Sequence, residues 1–156
     1  MDSEHLIHQL GTVLGLNLAF SDSGTCSVIF NGDEVFFERN GENLFLIAPI
    51  ASSVGKEDLF QKILEANYLG GETGLACLGL NPTRQEFVLH RVLCGNMDYG
   101  EFENALTAFV STARHWKKQL YQNVASEKAS SPQAEKQDTS VGDKNILHQQ
   151  MSWMNV

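Results

Sequence analysis

The chain has 156 residues, 42% of them hydrophobic, and 11 Lys and Arg stand against 19 Asp and Glu for a formal charge of -8. That length suits one domain with tails rather than two domains, and the charge excludes phosphate backbones and anionic membrane surfaces as natural partners, because both would be repelled. The opening MDSEHLIHQL lacks the basic stretch and apolar run of a signal peptide, and no segment nears the roughly 18 apolar residues of a membrane span, so a cytoplasmic protein without membrane contact is expected.

From Ser3 to Leu14 the residues Leu6, Ile7, Leu10, Val13 and Leu14 recur at helical spacing, with Asp2 or Ser3 placed to cap the start and Gly15 to end it. A short entry strand, LNLAF (Leu16 to Phe20), then leads into a three-stranded meander, TCSVIF, EVFFER and NLFLIAPI. The pairs Asn31-Gly32 and Asn40-Gly41 supply its hairpin turns. A second helix is predicted from about Lys56 to Leu69, with Leu59, Phe60, Ile63, Leu64 and Tyr68 on its apolar side. GLACLGL and EFVLHRVL read as a second hairpin around Asn81-Pro82-Thr83-Arg84. A last helix starts at a capping box of Asp98 and Glu101 and carries a stripe from Phe102 through Leu106, Phe109, Val110, Ala113, Trp116 and Leu120 to Val124, about 25 residues. The domain is therefore set at residues 1–125. Residues 126–156 form a polar tail in which only ILHQQMSWM, residues 146–154, restores apolar side chains, either to dock on the body or to remain unpacked.

Few motifs carry chemistry. The glycine-rich stretch EANYLGGETGLACLGLN, Glu65 to Asn81, follows a predicted helix instead of preceding one. A phosphate loop needs the opposite order, so that N–H groups at a helix start face the anion. Gly70 and Gly71 are read as a helix stop. Cys26, Cys77 and Cys94 are odd in number and lack C-x-x-C spacing, so neither a disulfide framework nor a structural zinc site is expected, and buried reduced thiols are. Cys77 or Cys94 with His90 or His115 is the nearest approach to a nucleophilic pair, without any context that marks activation. His5 and His8 share a helix face but lack a third ligand and read as surface residues. Glu101 and Glu103 complement a helix dipole. No catalytic residue, metal site or cofactor is assigned.

The meander is unusual in its apolar content. A half-exposed antiparallel strand alternates apolar with polar, whereas Val35 to Phe37 and Leu44 to Ile47 are apolar on both faces. The second face needs a cover, from the chain's own first helix, a second subunit or a bound polypeptide.

The order helix, three strands, helix, two strands, long helix resembles the class I type III secretion chaperones of the Tir-chaperone (CesT) family. The stretches that carry the likeness are LGTVLGLNLAFSDSGTCSVIFNGDEVFFER with its Leu-Gly-Leu, NLFLIAPI, and LFQKILEANYLGGETGLACLGLNPTRQEFVLHRVL with an Asn near the helix end, together covering about Glu4 to Tyr121. The resemblance implies an α+β fold of order α-β-β-β-α-β-β-α with an antiparallel sheet packed by helices, homodimeric, in the bacterial cytoplasm. It implies a non-enzymatic protein that holds the N-terminal segment of one or more secreted effectors in an extended, export-competent state, with the secretion apparatus ATPase as a further partner and no cofactor. By element, it places Leu6, Leu10, Val13, Phe30, Phe36, Phe45 and Ile47 against the effector. It places Leu59, Phe60, Ile63, Leu64, Leu75, Cys77 and Leu78 at the dimer interface. A homodimeric adaptor of the same fold without an export client, similar to YbjN-like proteins, is the alternative.

Overall fold

The computed structural model describes residues 2–129, with side-chain surroundings for residues 2–121. Helix α1 (Ser3–Leu14) starts where the Asp2 carboxylate accepts the His5 N–H at 3.0 Å, and it stops at Gly15, left-handed at φ 67°, whose N–H meets the carbonyls of Gly11 and Thr12. Both ends are thus satisfied as the sequence predicts. Beyond Gly15 the predicted entry strand is absent: Leu16 to Phe20 runs as irregular chain. Its backbone is turned back onto the helix, Leu16 N–H bonding the Gly11 carbonyl at 2.8 Å, and Leu18 comes so close that a Cβ on Gly11 would lie 2.9 Å from the Leu18 Cβ. Pinned to α1 and held at Phe20 by the Arg39 guanidinium stacked 5.5 Å above the ring, this segment does not pair as a strand.

The meander forms as β1 (Thr25–Phe30), β2 (Asp33–Asn40) and β3 (Asn43–Ser52). At the first turn Asn31 and Gly32 both take positive φ, the two-residue hairpin that Asn-Gly favours. Helix α2 (Leu59–Asn67) is shorter than predicted at its start, because residues before Leu59 are spent in turns, and a 3-10 turn at Tyr68–Gly70 follows it. Strands β4 (Cys77–Asn81) and β5 (Glu86–Leu93) make the second hairpin, with the Asn81 side chain accepting the N–H groups of Thr83 and Arg84 at 3.2 Å. Helix α3 (Tyr99–Ala129) opens on the predicted capping box: Asp98 Oδ1 accepts the Glu101 N–H at 2.8 Å and Glu101 Oε2 accepts the Asp98 N–H at 3.0 Å. At 31 residues it outruns the expected 25 and passes Val124. The 146–154 segment lies outside the described residues.

All five strands join one antiparallel sheet in the order β1-β2-β3-β5-β4. The edges are therefore β1 and β4. Between Pro49 and Ala51 the register against β5 shifts, so that Ile50 and Ala51 are both buried; a proline without an N–H sits well beside such a bulge. One sheet face, built from Val28, Val35, Phe37, Leu44, Leu46, Leu89 and Leu93, meets Phe102, Phe109, Ala113, Trp116 and Leu120 of α3 in a continuous core. The Trp116 indole N–H reaches the Glu72 carbonyl at 3.1 Å, which satisfies the one polar group of a fully buried ring.

Helix α1 enters the same core through Leu6, Ile7 and Leu10, and α2 enters it through Leu59 and Ile63, with Phe60 edge-on to Phe87 at 5.9 Å. All three helices therefore lie on one side of the sheet. Among the described residues the first helix does not cover the second face, which corrects one of the three covers considered from sequence; α1 is drawn to the side where α3 already offers an apolar wall.

Candidate functional site

Strand parity sorts the apolar surface into separate regions. On the helix side, beyond Leu10, the next turn of α1 carries Val13 and Leu14 past the end of the buried stripe, and they remain exposed (Val13 60%). Together with Phe30, Leu106 and Val110 they line a groove of about 400 Å³ between α1, α3 and the end of β1, inside the ~300–1,000 Å³ range of ligand pockets. Its rim is polar and fixed. Arg114 donates to Asp33 at 2.6 Å and to the Phe30 carbonyl at 2.7 Å, and Lys117 donates to the same Asp33 carboxylate at 2.8 Å. The Lys117 hydrogen bond, against an opposing cost of desolvation and aided by Arg114, holds the Asp33 carboxyl below its usual range. At the other end of the groove the Tyr99 hydroxyl is buried without a partner among the described residues, and burial, then the nearby Glu103 carboxylate, pushes that phenol up.

The strand that borders this groove has an open edge. The two-residue turn makes Phe30 and Asp33 the closing hydrogen-bonded pair, so alternate residues Ser27 and Ile29 direct N–H and C=O away from β2. Thr25 would do the same, but the Ser21 N–H binds its carbonyl at 2.8 Å. Among the described residues nothing pairs with the outward main-chain groups of Ser27 and Ile29, and Ile29 is 68% exposed. The opposite edge is guarded: the Asn67 side chain bonds both the N–H and the C=O of Leu78 at 2.8 Å, filling the place a neighbouring strand would take on β4.

The sheet face turned away from the helices carries Phe36, Phe45 and Ile47, with Val88 and Val92 beside them by register. They are half-buried or exposed, screened in part by Arg84, whose guanidinium stands 6.0 Å from the Phe36 ring centroid. A third surface lies on α2 and β4. Leu64, Tyr68, Leu69 and Leu75 are 71%, 76%, 86% and 78% exposed, next to an apolar cleft of about 250 Å³ lined by Phe60, Leu64, Leu78, Leu80 and Phe87. Leu69 and Leu75 also take positive φ, 55° and 67°, a strained setting for leucine.

The residues expected to meet an effector thus fall in three places. Leu6 is a core residue; Leu10, itself buried, lines the groove with Val13 and Phe30; Phe36, Phe45 and Ile47 lie on the open sheet face. Of the expected interface residues, Leu59, Ile63 and Leu78 are buried inside the chain, whereas Phe60, Leu64, Leu75 and Cys77 are exposed. Leu14, Ile29, Leu69 and Leu80 were missed. Leu14 was legible as the residue beyond Leu10 on the same stripe, but nothing in the sequence marks Leu69 or Ile29.

The expectation of buried thiols is corrected for two cysteines. Cys77 and Cys94 are exposed, because β4 is an edge strand and Cys77 faces the open side, while Cys26 is half-buried and burial pushes its thiol up to about 11. Register sets Cys77 opposite His90 on that solvent-facing surface, which lacks the enclosed electropositive setting of an activated thiol. The helix stop expected at Gly70 and Gly71 falls earlier: α2 ends at Asn67 on an extended Tyr68, and Gly70, left-handed at φ 67°, shapes the turn that follows. His5 and His8 are exposed, and among the described residues no group of three His, Cys, Asp or Glu side chains is placed to hold a metal ion. No helix among them is long and apolar enough to cross a membrane.

A family model described as Tir chaperone protein (CesT) family matches residues 5–117. The chain belongs to the CesT family. No curated protein matches it in sequence. Among solved structures, this CesT-family chain resembles one in the ExsC-ExsE complex with a TM-score of 0.66 at 19% identity, covering 74% of this chain and 91% of that one. A chain of the HopA1-SchA chaperone-effector complex gives 0.64 at 16% identity, over 74% and 93%. The Yersinia pestis type III secretion chaperone SycH, solved with a stable fragment of YscM2, gives 0.57 at 20% identity, over 72% and 98%. The matched region of the CesT domain spans α1 to the middle of α3, and so includes the groove, both sheet edges and the α2 surface.

Proposed function

We propose that this CesT-family protein is a type III secretion chaperone of the bacterial cytoplasm, acting as a homodimer that holds the N-terminal segment of one or more effectors extended and competent for export. The observation that carries the proposal is the juxtaposition of an open strand edge at Ser27 and Ile29 with an apolar groove on one side and an uncovered apolar sheet face on the other. A client segment laid along β1 gains main-chain hydrogen bonds, and its alternating side chains enter the groove beside Val13 and Phe30 or cover the face around Phe36. Ordering an extended segment costs entropy, so a continuous apolar surface on both sides is what such binding requires.

The second copy is assigned to α2 and β4. Exposed Leu64, Tyr68, Leu69 and Leu75 form the kind of apolar patch that marks association, and Asn67 blocks simple strand pairing at Leu78, which favours side-chain packing across a two-fold axis. The fold likeness to chains solved in complexes, including a chaperone-effector complex and a chaperone bound to a protein fragment, agrees with this reading. The protein works by binding alone, without catalysis or a cofactor, and it delivers its client to the secretion apparatus, whose ATPase is the natural receiver. Affinity purification of the tagged protein from secreting native cells, with mass spectrometry of stoichiometric partners, tests the proposal. Recovery of a secreted protein held through its N-terminal region is expected; recovery of the protein's own subunit alone would overturn it in favour of an adaptor without a client.

A further inference from the structure

We propose that the client strand on β1 is selected for a Lys or Arg that crosses Ser27 and settles at Phe36 between the carboxylates of Glu34 and Glu38, with an apolar residue two positions away. This rests on β1 being the edge at which a client docks. Register places the parts. Phe36 stands opposite Ser27, Glu38 opposite Thr25 and Glu34 opposite Ile29, so all of these side chains share the sheet face turned away from the helices. Glu34 and Glu38 lie about 7 Å to either side of Phe36 along β2, at 3.4 Å per residue. A strand added beyond β1 lies two strand spacings, about 10 Å, from β2, and its residue beside Ser27 points to this same face. Ser27 is short and exposed, so a long side chain passes over it and meets the ring and the glutamates half-way. Ile29, 68% exposed, bars that path two residues along and offers an apolar contact instead.

Charge agrees with register. The carboxylates of Glu34, Glu38 and Glu86 border this face against the guanidinium of Arg84 and the imidazole of His90. Arg84 is matched by Glu86 at 3.6 Å, and among the described residues neither Glu34 nor Glu38 takes part in an ion pair. The chain also displays the contact that a client would copy: the Arg84 guanidinium stands 6.0 Å from the Phe36 ring centroid, at the ~6 Å range of a cation–π pair. It arrives from the β4–β5 turn, the side of the sheet opposite β1. The two unmatched glutamates count against other segments. An acidic one meets like charge, and a wholly apolar one desolvates both carboxylates without pairing either. The formal charge of -8 extends the preference to encounter, steering cationic segments toward the protein.

The probe is a phage-displayed library of random linear peptides selected on the full-length protein. Ser27→Pro removes an N–H that points away from β2, so it stops edge pairing without breaking the β1–β2 ladder, and peptides that it releases are those held at β1. Among them, Lys or Arg two positions from an apolar residue should be enriched over the unselected library. Glu34→Gln/Glu38→Gln, which keeps the side-chain shapes, should weaken their binding about 2–30-fold at low salt, the product of two exposed ion pairs. The parent's own affinity should fall toward that of the double variant in 1 M salt, where the screening length is about 3 Å. Glu57→Gln/Glu65→Gln, which removes the same charge at exposed positions near α2, should change nothing. The inference is overturned if the β1-dependent peptides carry no excess of Lys or Arg, or if they bind Glu34→Gln/Glu38→Gln as tightly as the parent; either result leaves β1 standing as the client edge. If no selected peptide depends on Ser27, the inference falls together with docking at that edge, while the co-purification of an effector is decided separately.

Discussion

Replacing Asn67 with Ala removes a side chain that serves as a surrogate strand. Its amide donates to the Leu78 carbonyl and accepts the Leu78 N–H, both at 2.8 Å, in a part-buried position at the end of α2. Each hydrogen bond contributes about 0.5–1.5 kcal/mol net, so Asn67→Ala should cost about 1–3 kcal/mol. For a domain of this size that is a fall in Tm of roughly 4–15 °C, taking a few degrees per kcal/mol. Urea unfolding followed by circular dichroism, at one fixed protein concentration because association shifts apparent stability, measures the loss. Asn67→Asp separates the donor from the acceptor. Ionised, the new carboxylate still accepts the Leu78 N–H but confronts the Leu78 carbonyl; protonated, it can donate again. Its folded pKa should therefore rise above its unfolded value, and the variant should lose stability relative to the parent as pH rises through the carboxylate range. A change below 0.5 kcal/mol for Asn67→Ala would refute the idea that this amide holds the edge of β4 to α2.

Other outcomes follow from the same geometry. Phe36→Asp or Phe45→Asp should weaken client capture while leaving the subunit stoichiometry unchanged by light scattering, and Leu64→Asp should do the reverse; a dimer lost first with Phe36→Asp would mean the open sheet face is the subunit contact. Asp33, held below the usual carboxylate range by Lys117 and then Arg114, contributes stability that is present above about pH 4 and is lost as pH falls through its lowered folded value. Asp33→Asn should accordingly flatten the acid limb of the stability profile, and an unchanged limb would show that the pair does not anchor α3 to the β1–β2 turn. With Ellman's reagent at neutral pH, the exposed Cys77 and Cys94 should react in the folded protein, whereas Cys26, its thiol pushed up to about 11, should wait for denaturant. Equal reactivity of all three would contradict the burial of Cys26.

What local chemistry decides was readable in the sequence. The Asp2 and Gly15 caps, the Asn31-Gly32 turn and the Asp98 and Glu101 capping box each depend on residues within three or four positions, and all appear where expected. What depends on distant neighbours was not. Leu16 to Phe20 has a strand-like composition, but Gly11 lets it lie back against α1 and Arg39, nineteen positions on, pins Phe20, so the strand is lost to tertiary contacts that its own composition does not show. The side of the sheet chosen by α1 depends on α3, and this choice decides that Leu6 and Leu10 are core while Phe36, Phe45 and Ile47 face outward. Cys77 reads as buried in its apolar strand until β5, not β4, pairs with β3 and leaves β4 at an edge. The exposed apolar surfaces are legible as excess apolar residues, but their division into groove, face and α2 patch exists only after the strands are in register.

Leu69 and Leu75 carry a consequence for attempts to improve the protein. Each holds a left-handed backbone that glycine would adopt without strain and exposes a side chain that any polar residue would make more soluble. Directed evolution for heat resistance or expression of the separate chain would therefore replace both leucines early. It would produce a sturdier polypeptide that had lost part of the exposed apolar surface proposed to meet another copy of the chain.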